Sequence, residues 1–571
     1  MGRGTDLWVY IVLAVLAFLV VGLFFVPLEW RIFDPSMYYA YIRSPLIDGD
    51  LDFANEAEPQ EWWSTHVQRT ETGKFPNVWS VGPAFLWTPA TLLAHGTVLL
   101  LQRWGFPFAA DGYALPYMVL IGLTTALVAF VGLLATYSLS RQQAPRFPAL
   151  LATILVWLAT PLWFYSARFT MMAHGLSFAA VALFLLTWLR LRRTEKPSAW
   201  CWLGLGALAG LMLLQRWQNA LVLLVPLGTD LLERRLGRRR IAGYAWMALG
   251  TVWLFSPQMA MWQVLYGRPL LVPQGSGFFN WTRPALAAIL FSSNRGLFLW
   301  SPLFLLGVVG LVWLWRRDRP LALPIALVCL LELYLNSVTR DWWGGGAYGP
   351  RRFIEILPLL VPGMAGLLAR WTRLPWARIA LVLLALLLIW QQWAWMDMVF
   401  YVDYGDGGHP LSPELYTLRY DGKGPWSVEA YRQYLQQGIP LPPTFYLYLY
   451  DEGLPLPWSV LLEPLRRSLH NPTALLQARP SRWSSQLPPL FVLAQRWKEG
   501  GAGRLATSWA PGALAIVGVG LIIAVFLWRR LRLVYREGGG CGPASWWGKA
   551  LLIALLLAVG LVDVVTLAVL A

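Results

Sequence analysis

The chain has 571 residues, 57% of them hydrophobic and 13% charged, with a mean hydropathy of +0.50. A soluble protein carries roughly 25% charged residues, so a water-soluble globular domain is excluded. Apolar runs of about 20 residues select membrane-spanning helices over a transmembrane barrel, whose segments are shorter and alternate. The net charge of +16 does not point to nucleic acid. The arginines sit in short clusters between apolar runs, as topology determinants do.

The first apolar run, residues 7–28, lacks a small-residue cleavage site and is long enough to span, so it reads as a retained first helix. Further spans are expected to begin near residues 114, 148, 170, 199, 217, 242, 297, 320, 353, 376, 512 and 548. This makes an all-α polytopic membrane protein of about thirteen transmembrane helices. Segment 81–103 carries Pro83, Pro89 and His95 and is read as an amphipathic helix on the outer interface, not a span. Basic clusters at 141–146, 190–196, 234–240, 316–319, 370–378 and 529–536 all fall on one side if two helices separate successive clusters. That side is expected to be cytoplasmic, together with the N-terminus. The tryptophans, 35 in all, gather near the ends of apolar runs, where an indole is stable between hydrocarbon and headgroups.

Four regions are then expected outside: 29–112, about 266–295, about 337–352, and 397–511, the last a small extracytoplasmic insert before the final two helices at 512–571. The first is acid-rich, reading DPSMYYAYIRSPLIDGDLDFANE from Asp34 to Glu56. An acidic residue at the mouth of a helix bundle can act as a general base. The alternating Asp48, Asp50 and Asp52 could hold a divalent cation (Mg or Mn) through oxygen ligands, or simply cap a turn. In the third region, TRDWWGGGAYGPRRF, three glycines precede Arg351 and Arg352. Arginine forks match phosphate oxygens; the alternative is two side chains snorkelling to headgroups. Arg295, in the second region, could complete an anion site with Arg351, or belong to a helix-capping loop. Arg168, His174 and Arg216 lie near helix ends at the outer face. Glu332 and Asp563 fall within apolar segments, which is costly and therefore suggestive of function. The three cysteines show no metal or disulfide spacing, and no phosphate loop, dinucleotide fingerprint or nucleophile elbow occurs in a fitting context.

Asp34, Tyr38, Arg43, Gly49 and Asp50, followed by the Pro-containing VGPAFLWTPATLLA, carry a resemblance. The arrangement resembles the GT-C superfamily of membrane glycosyltransferases, in particular the bacterial aminoarabinose lipid A transferase and protein O-mannosyltransferase group. That group's first outer loop typically reads Asp-Glu, then Tyr, Arg and Gly-Asp, and then an amphipathic helix. This chain departs where the family's Glu is Pro35. The overall plan extends over residues 1–396, whereas the motif covers only about 34–90.

The resemblance implies a GT-C-like catalytic module with interfacial helices in its first outer loop. It implies transfer of a sugar, with inversion, from a polyprenyl-phosphate donor to a protein, lipid or glycan acceptor on the outer face of a bacterial plasma (inner) membrane. By analogy Asp34 is the base, and Asp50 assists by hydrogen bonding or by holding a metal. Arg295, Arg351 and Arg352 hold the donor phosphate. Tyr38, Arg43, Asp48, Arg168, His174, Arg216 and Asp341 are further candidate substrate contacts. Two other readings are a lipid or glycan transporter or flippase, and a non-catalytic scaffold subunit. The first predicts internal repeats and polar midplane helices. The second gives no reason for acidic and basic loops to share one side.

Overall fold

The computed structural model describes residues 6–25, 33–57, 67–345, 348–404, 455 and 457–470. The segments 405–454 and 471–511 of the expected outer insert, the expected helices of 512–571, the 529–536 cluster and Asp563 lie outside the described residues. Within them the protein is nearly all helical, with a single isolated bridge between Phe279 and Thr339 in place of any strand. The long helices start close to where the apolar runs begin: α1 (Leu7–Phe24), α5 (Leu115–Ser140), α6 (Arg146–Leu158), α7 (Ala173–Arg192), α8 (Ala199–Gln215), α10 (Arg238–Tyr266), α13 (Leu303–Trp315), α14 (Arg319–Ser337), α15 (Leu357–Trp371) and α16 (Pro375–Tyr404). The other helices of the described residues are α4 (Gly82–Arg103) and the shorter α2 (Phe33–Arg43), α3 (Ala54–Ala57), α9 (Leu224–Leu232), α11 (Leu286–Phe291), α12 (Leu297–Trp300) and α17 (Trp458–His470). Among the described residues seven helices are long and apolar enough to cross a membrane.

Close helix pairs fix the direction of travel. A Cβ at Gly206 would lie 2.0 Å from the Met247 carbonyl, and Gly210 faces Thr251 and Leu254, so α8 and α10 run parallel with their backbones nearly touching. Gly307 meets Leu360, Gly310 meets Met364 and Gly366 meets Trp313, so α13 and α15 are parallel too. Small residues at such crossings replace the hydrophobic driving force that lipid cannot supply.

These directions bring the described arginine clusters to one end of the bundle, where ion pairs lace them together. Asp6 takes Arg141 at 3.1 Å and Arg146 at 2.5 Å, and Arg192 bridges Glu233 at 2.5 Å and Asp318 at 2.7 Å. The α1 C-terminus and the starts of α5, α7 and α15 lie at the other end. There the loops interlock: Thr72 Oγ1 donates to Leu265 O, Asn280 N–H to Val338 O, and Arg340 N–H to Phe278 O.

The segment read as interfacial is one unbroken helix, α4, of 22 residues, with Pro83 in its first turn and Pro89 inside it. By length and composition it could span. The contacts that fix it sit at the loop end. Trp87 donates to Thr125 Oγ1 at 2.8 Å, His95 meets the Tyr117 hydroxyl at 2.6 Å, and Gly82 abuts Leu214 at the end of α8. It therefore runs antiparallel to the first half of α5, starting where α8 stops. Its exposed Phe85, Leu92, Leu93, Leu99 and Leu100 form a stripe at helical spacing, a face suited to lipid.

The two ends predict opposite accessibility. In a background lacking Cys201, Cys329 and Cys541, a cysteine replacing exposed Asp50 is labelled by an impermeant maleimide in intact cells. One replacing Arg235 is labelled only after permeabilisation. Labelling of both from the same side would overturn the orientation read from the charges.

Candidate functional site at the loop end of the bundle

The first turn of α2 places Asp34, a position where a carboxylate is favoured by the helix dipole. The loop after α14 returns the chain to it from the far side of the sequence. Gly344 and Gly345 adopt φ of +83° and +69°, a backbone region that excludes most side chains. That turn aims the Gly344 carbonyl at Arg351, which donates to it at 2.8 Å and to Asp34 Oδ2 at 2.8 Å. Neighbouring Arg352 donates to Thr339 Oγ1 at 2.8 Å and to Asp341 at 2.6 Å. Thus the glycine turn that precedes the two arginines holds one of them through the Gly344 carbonyl. Each guanidinium keeps further N–H groups beyond these bonds, since a guanidinium carries five.

Behind this pair lies a buried polar cluster. His174, at the start of α7, meets Glu355 Oε1 at 2.9 Å, and Arg216, just past α8, approaches the same oxygen at 3.3 Å. A carboxylate can only accept, so the tautomer with a proton on Nδ1 satisfies Glu355; Arg216 Nη1, 3.1 Å from the same Nδ1, then turns its own N–H to Glu355. Tyr38 of α2 lies in the field of Arg216, Asp34, Arg351 and Glu355, and burial pushes its phenol up to about 12. It therefore stays a hydrogen-bond donor at neutral pH.

The other candidates lie elsewhere. Arg43 is tied to Asp48 and, at 2.8 Å, to Glu56, and its Nε donates to the Asp111 carbonyl. Arg43 and Asp48 thus brace the first loop. The three aspartates of the expected cation site point to separate partners. Asp48 takes Arg43 and Asn55. Asp50 accepts from Ser44 Oγ at 2.6 Å and from the Asp52 N–H. Asp52 takes Arg69 and the Phe75 N–H. Asp50 is held below the usual carboxylate range, chiefly by the Ser44 hydroxyl. Burial would raise Asp52, but the Arg69 and Phe75 donors outweigh it and hold it low.

Among the described residues no group of three or more His, Cys, Asp or Glu side chains could hold a metal ion. These aspartates do not fit a divalent cation as a ligand set. Arg168 donates to the Phe24 carbonyl at 3.4 Å, at the end of α1. Arg295 is 2% exposed and takes a left-handed φ of +61° in the turn before α12.

Sequence reasoning missed Glu355. The available signal was a lone carboxylate in the apolar run FIEILPLL, the same argument that did single out Glu332. Glu332 is 4% exposed and lies close enough to interact with Glu355 and Arg216.

No family model and no curated protein matches the chain. Among solved structures it is similar to ArnT from Cupriavidus metallidurans bound to undecaprenyl phosphate, at 16% identity over 82% of this chain and 79% of that one, with a TM-score of 0.43. It is also similar to the Archaeoglobus fulgidus oligosaccharyltransferase in its apo form, at 13% identity, covering 78% of this chain and 64% of that one, with a TM-score of 0.42. A third is the archaeal oligosaccharyltransferase AglB from Archaeoglobus fulgidus in complex with an inhibitory peptide and a dolichol-phosphate, at 12% identity over 87% and 73%, with a TM-score of 0.42.

Burial pushes Glu56 up to about 7, against the pull of Arg43. Its folded value lies above the ordinary carboxylate value. The stabilisation is therefore complete below about pH 4.5 and is lost as pH rises toward 7. Amide protection factors across residues 43–57, which remove the intrinsic base-catalysed rise of exchange with pH, are expected to fall over that window in wild type, and Glu56→Gln should flatten the dependence. Protection factors independent of pH in wild type would show that Glu56 does not titrate in that window.

Proposed function

We propose that the protein transfers a sugar from a polyprenyl-phosphate carrier to an acceptor hydroxyl or amide at the loop end of the bundle. The observation that carries this reading is the Asp34–Arg351 ion pair. It puts a candidate base and a candidate phosphate ligand side by side, although 317 residues separate them. The resemblance of the 34–90 motif to GT-C enzymes supports the same assignment.

In this reading Arg351 and Arg352 bind the donor phosphate with their remaining N–H groups. The acceptor oxygen or nitrogen attacks the anomeric carbon from the face opposite the phosphate. The bond from that carbon to the phosphate oxygen breaks with inversion, and polyprenyl phosphate leaves. Asp34 takes the acceptor proton, and the arginines meet the charge that grows on the leaving phosphate. Tyr38 donates a hydrogen bond toward the same space. No step passes through a metal. Arg295 as a third phosphate ligand, and Asp50 as an assisting group, belong to this proposal on the motif alone. Arg43, Asp48 and Arg168 serve it indirectly, by bracing the loop and the end of α1.

The acid-base residues gather at one end of the helices, where an acceptor can arrive. A transporter concentrates them near the midplane. We further read the loop end as facing outward across a bacterial plasma membrane, because the arginine clusters occupy the other end.

The test uses purified protein and undecaprenyl phosphate carrying single sugars. Wild type is expected to turn over at least one of them. Asp34→Asn loses roughly 100-fold or more in kcat, the scale of a lost general base, while still binding donor. Arg351→Ala weakens donor binding by about 2–5 kcal/mol. Undiminished turnover by Asp34→Asn would remove it as the base, and unchanged donor affinity in Arg351→Ala would move the phosphate elsewhere.

A further inference from the structure

Glu355 presents an imbalance that the reaction above does not use. Both of its close partners, His174 and Arg216, go to one carboxylate oxygen. The other oxygen, Oε2, is buried and has no hydrogen-bond partner, in a residue 4% exposed. Leaving a buried charged acceptor unpaired carries the full desolvation cost of that group. If the carboxylate served only to neutralise Arg216 and orient His174, one well-placed oxygen would suffice. Glu332 brings a second buried carboxyl group close enough to interact with Glu355 and Arg216. The cluster therefore has unused accepting capacity and favours a ligand that brings hydrogen-bond donors.

Its place in the fold says which ligand group that is. Glu355 follows Arg351 within the same 3-10 turn, Arg351–Ile356. The rise between them is roughly 8 Å at about 2 Å per residue, the scale of a phosphate and the sugar ring attached to it. Tyr38 senses Arg351 and Glu355 together, and the charge of Arg351 reaches His174. The phosphate ligand and the unsatisfied carboxylate thus belong to one neighbourhood, with Glu355 one turn deeper.

We propose that Glu355, oriented by His174 and Arg216, is the donor-specificity residue, its free oxygen accepting a hydrogen bond from one hydroxyl or amino group of the sugar on the lipid phosphate. The inference rests on the glycosyl-transfer reading. It adds that the sugar is chosen by a buried acidic subsite distinct from the arginines that hold the phosphate. A site built to bond a particular hydroxyl rejects the analogue lacking it far more strongly than an apolar pocket does, because its own polar group is left unpaired.

The experiment crosses variants with substrates. Wild type, Glu355→Gln and Glu355→Asp are purified and assayed for binding of bare undecaprenyl phosphate by thermal shift. Each is then assayed for kcat and KM on undecaprenyl-phosphate-linked hexoses and their monodeoxy analogues. Binding of the bare lipid phosphate is expected to stay within about twofold of wild type in at least one variant, which also shows that variant to be folded. At one sugar position wild type should lose about 100-fold or more in kcat/KM on deoxygenation, and the variant less than about tenfold. Equal deoxygenation penalties in wild type and variant at every position would overturn the proposal and leave Glu355 a partner of Arg216 only. Loss of bare-phosphate binding in both variants would overturn it as well, marking Glu355 as a residue of the fold. Wild type that binds no lipid phosphate and turns over no sugar would instead fell the glycosyl-transfer reading, and the inference with it.

Discussion

The Asp34–Arg351 ion pair is the constraint around which the loop end is organised. Its two partners are only partly exposed, at 25% and 15% of their side chains. In that setting the loss of hydration is offset only if geometry and further hydrogen bonds are good. The Gly344 carbonyl supplies one such bond, and the left-handed turn at Gly344 and Gly345 is what lets it do so. On the other side, α2 must begin with Asp34 in its first turn, and its end is pinned by Arg43 to the Asp111 carbonyl and to Glu56. A change that loosens the first loop therefore reaches the site through α2, without touching a substrate.

The two ends of the bundle use the same residue types for different ends. At the arginine-rich end, Arg192 lies between Glu233 and Asp318, and Asp6 between Arg141 and Arg146. Those carboxylates and guanidinia come from helix termini, and pairing them fixes how the helices stack. At the loop end the carboxylates of Asp34, Asp341 and Glu355 each meet an arginine too, but a hydroxyl, a glycine carbonyl and an imidazole share the partners. Mixed donors and acceptors of this kind can exchange a protein partner for a ligand, whereas simple charge pairs hold their geometry.

This difference explains what the sequence made legible. Apolar run length and arginine spacing report on local forces, and they located the helices and grouped the described arginine clusters at one end. Asp34, Arg351 and Arg352 could be singled out because each breaks a local expectation: an acid at a helix mouth, or arginines after a glycine turn on the expected outer side. That Asp34 meets Arg351 could not be read, because no local force links positions 317 residues apart. Arg43 carries the motif's spacing and Asp48 adjoins it, and the structure ties them to each other, to Glu56 and to Asn55. Asp48, Asp50 and Asp52 alternate as cation ligands might, but each finds its own donor first. Segment 81–103 carried two prolines that argued against a spanning helix. Pro83 falls in the first turn, where no N–H is required, and Pro89 is tolerated within an unbroken helix. Glu355 shows the same lone-carboxylate signal as Glu332, but its partners come from α7 and α8, and only the fold brings them to it.

On the proposed reaction, the ion pair also settles how charge moves. The donor arrives as a phosphodiester with one negative charge, beside an aspartate with another. As the bond to the anomeric carbon breaks, the phosphate gains a charge while Asp34 loses its own to the acceptor proton. The anionic charge around Arg351 is the same before and after; only its location changes. An arginine already bonded to Asp34 need not travel to follow it, since one N–H group is released by the neutral carboxyl as others tighten on the phosphate. Such donors are set in place before the charge develops, and preorganisation of that kind is where electrostatic catalysis gains most. It also explains why the site keeps a carboxylate beside the arginine it needs for an anion. Without Asp34 the resting guanidinium would already hold the donor phosphate without competition, and less of its binding would be reserved for the transition state.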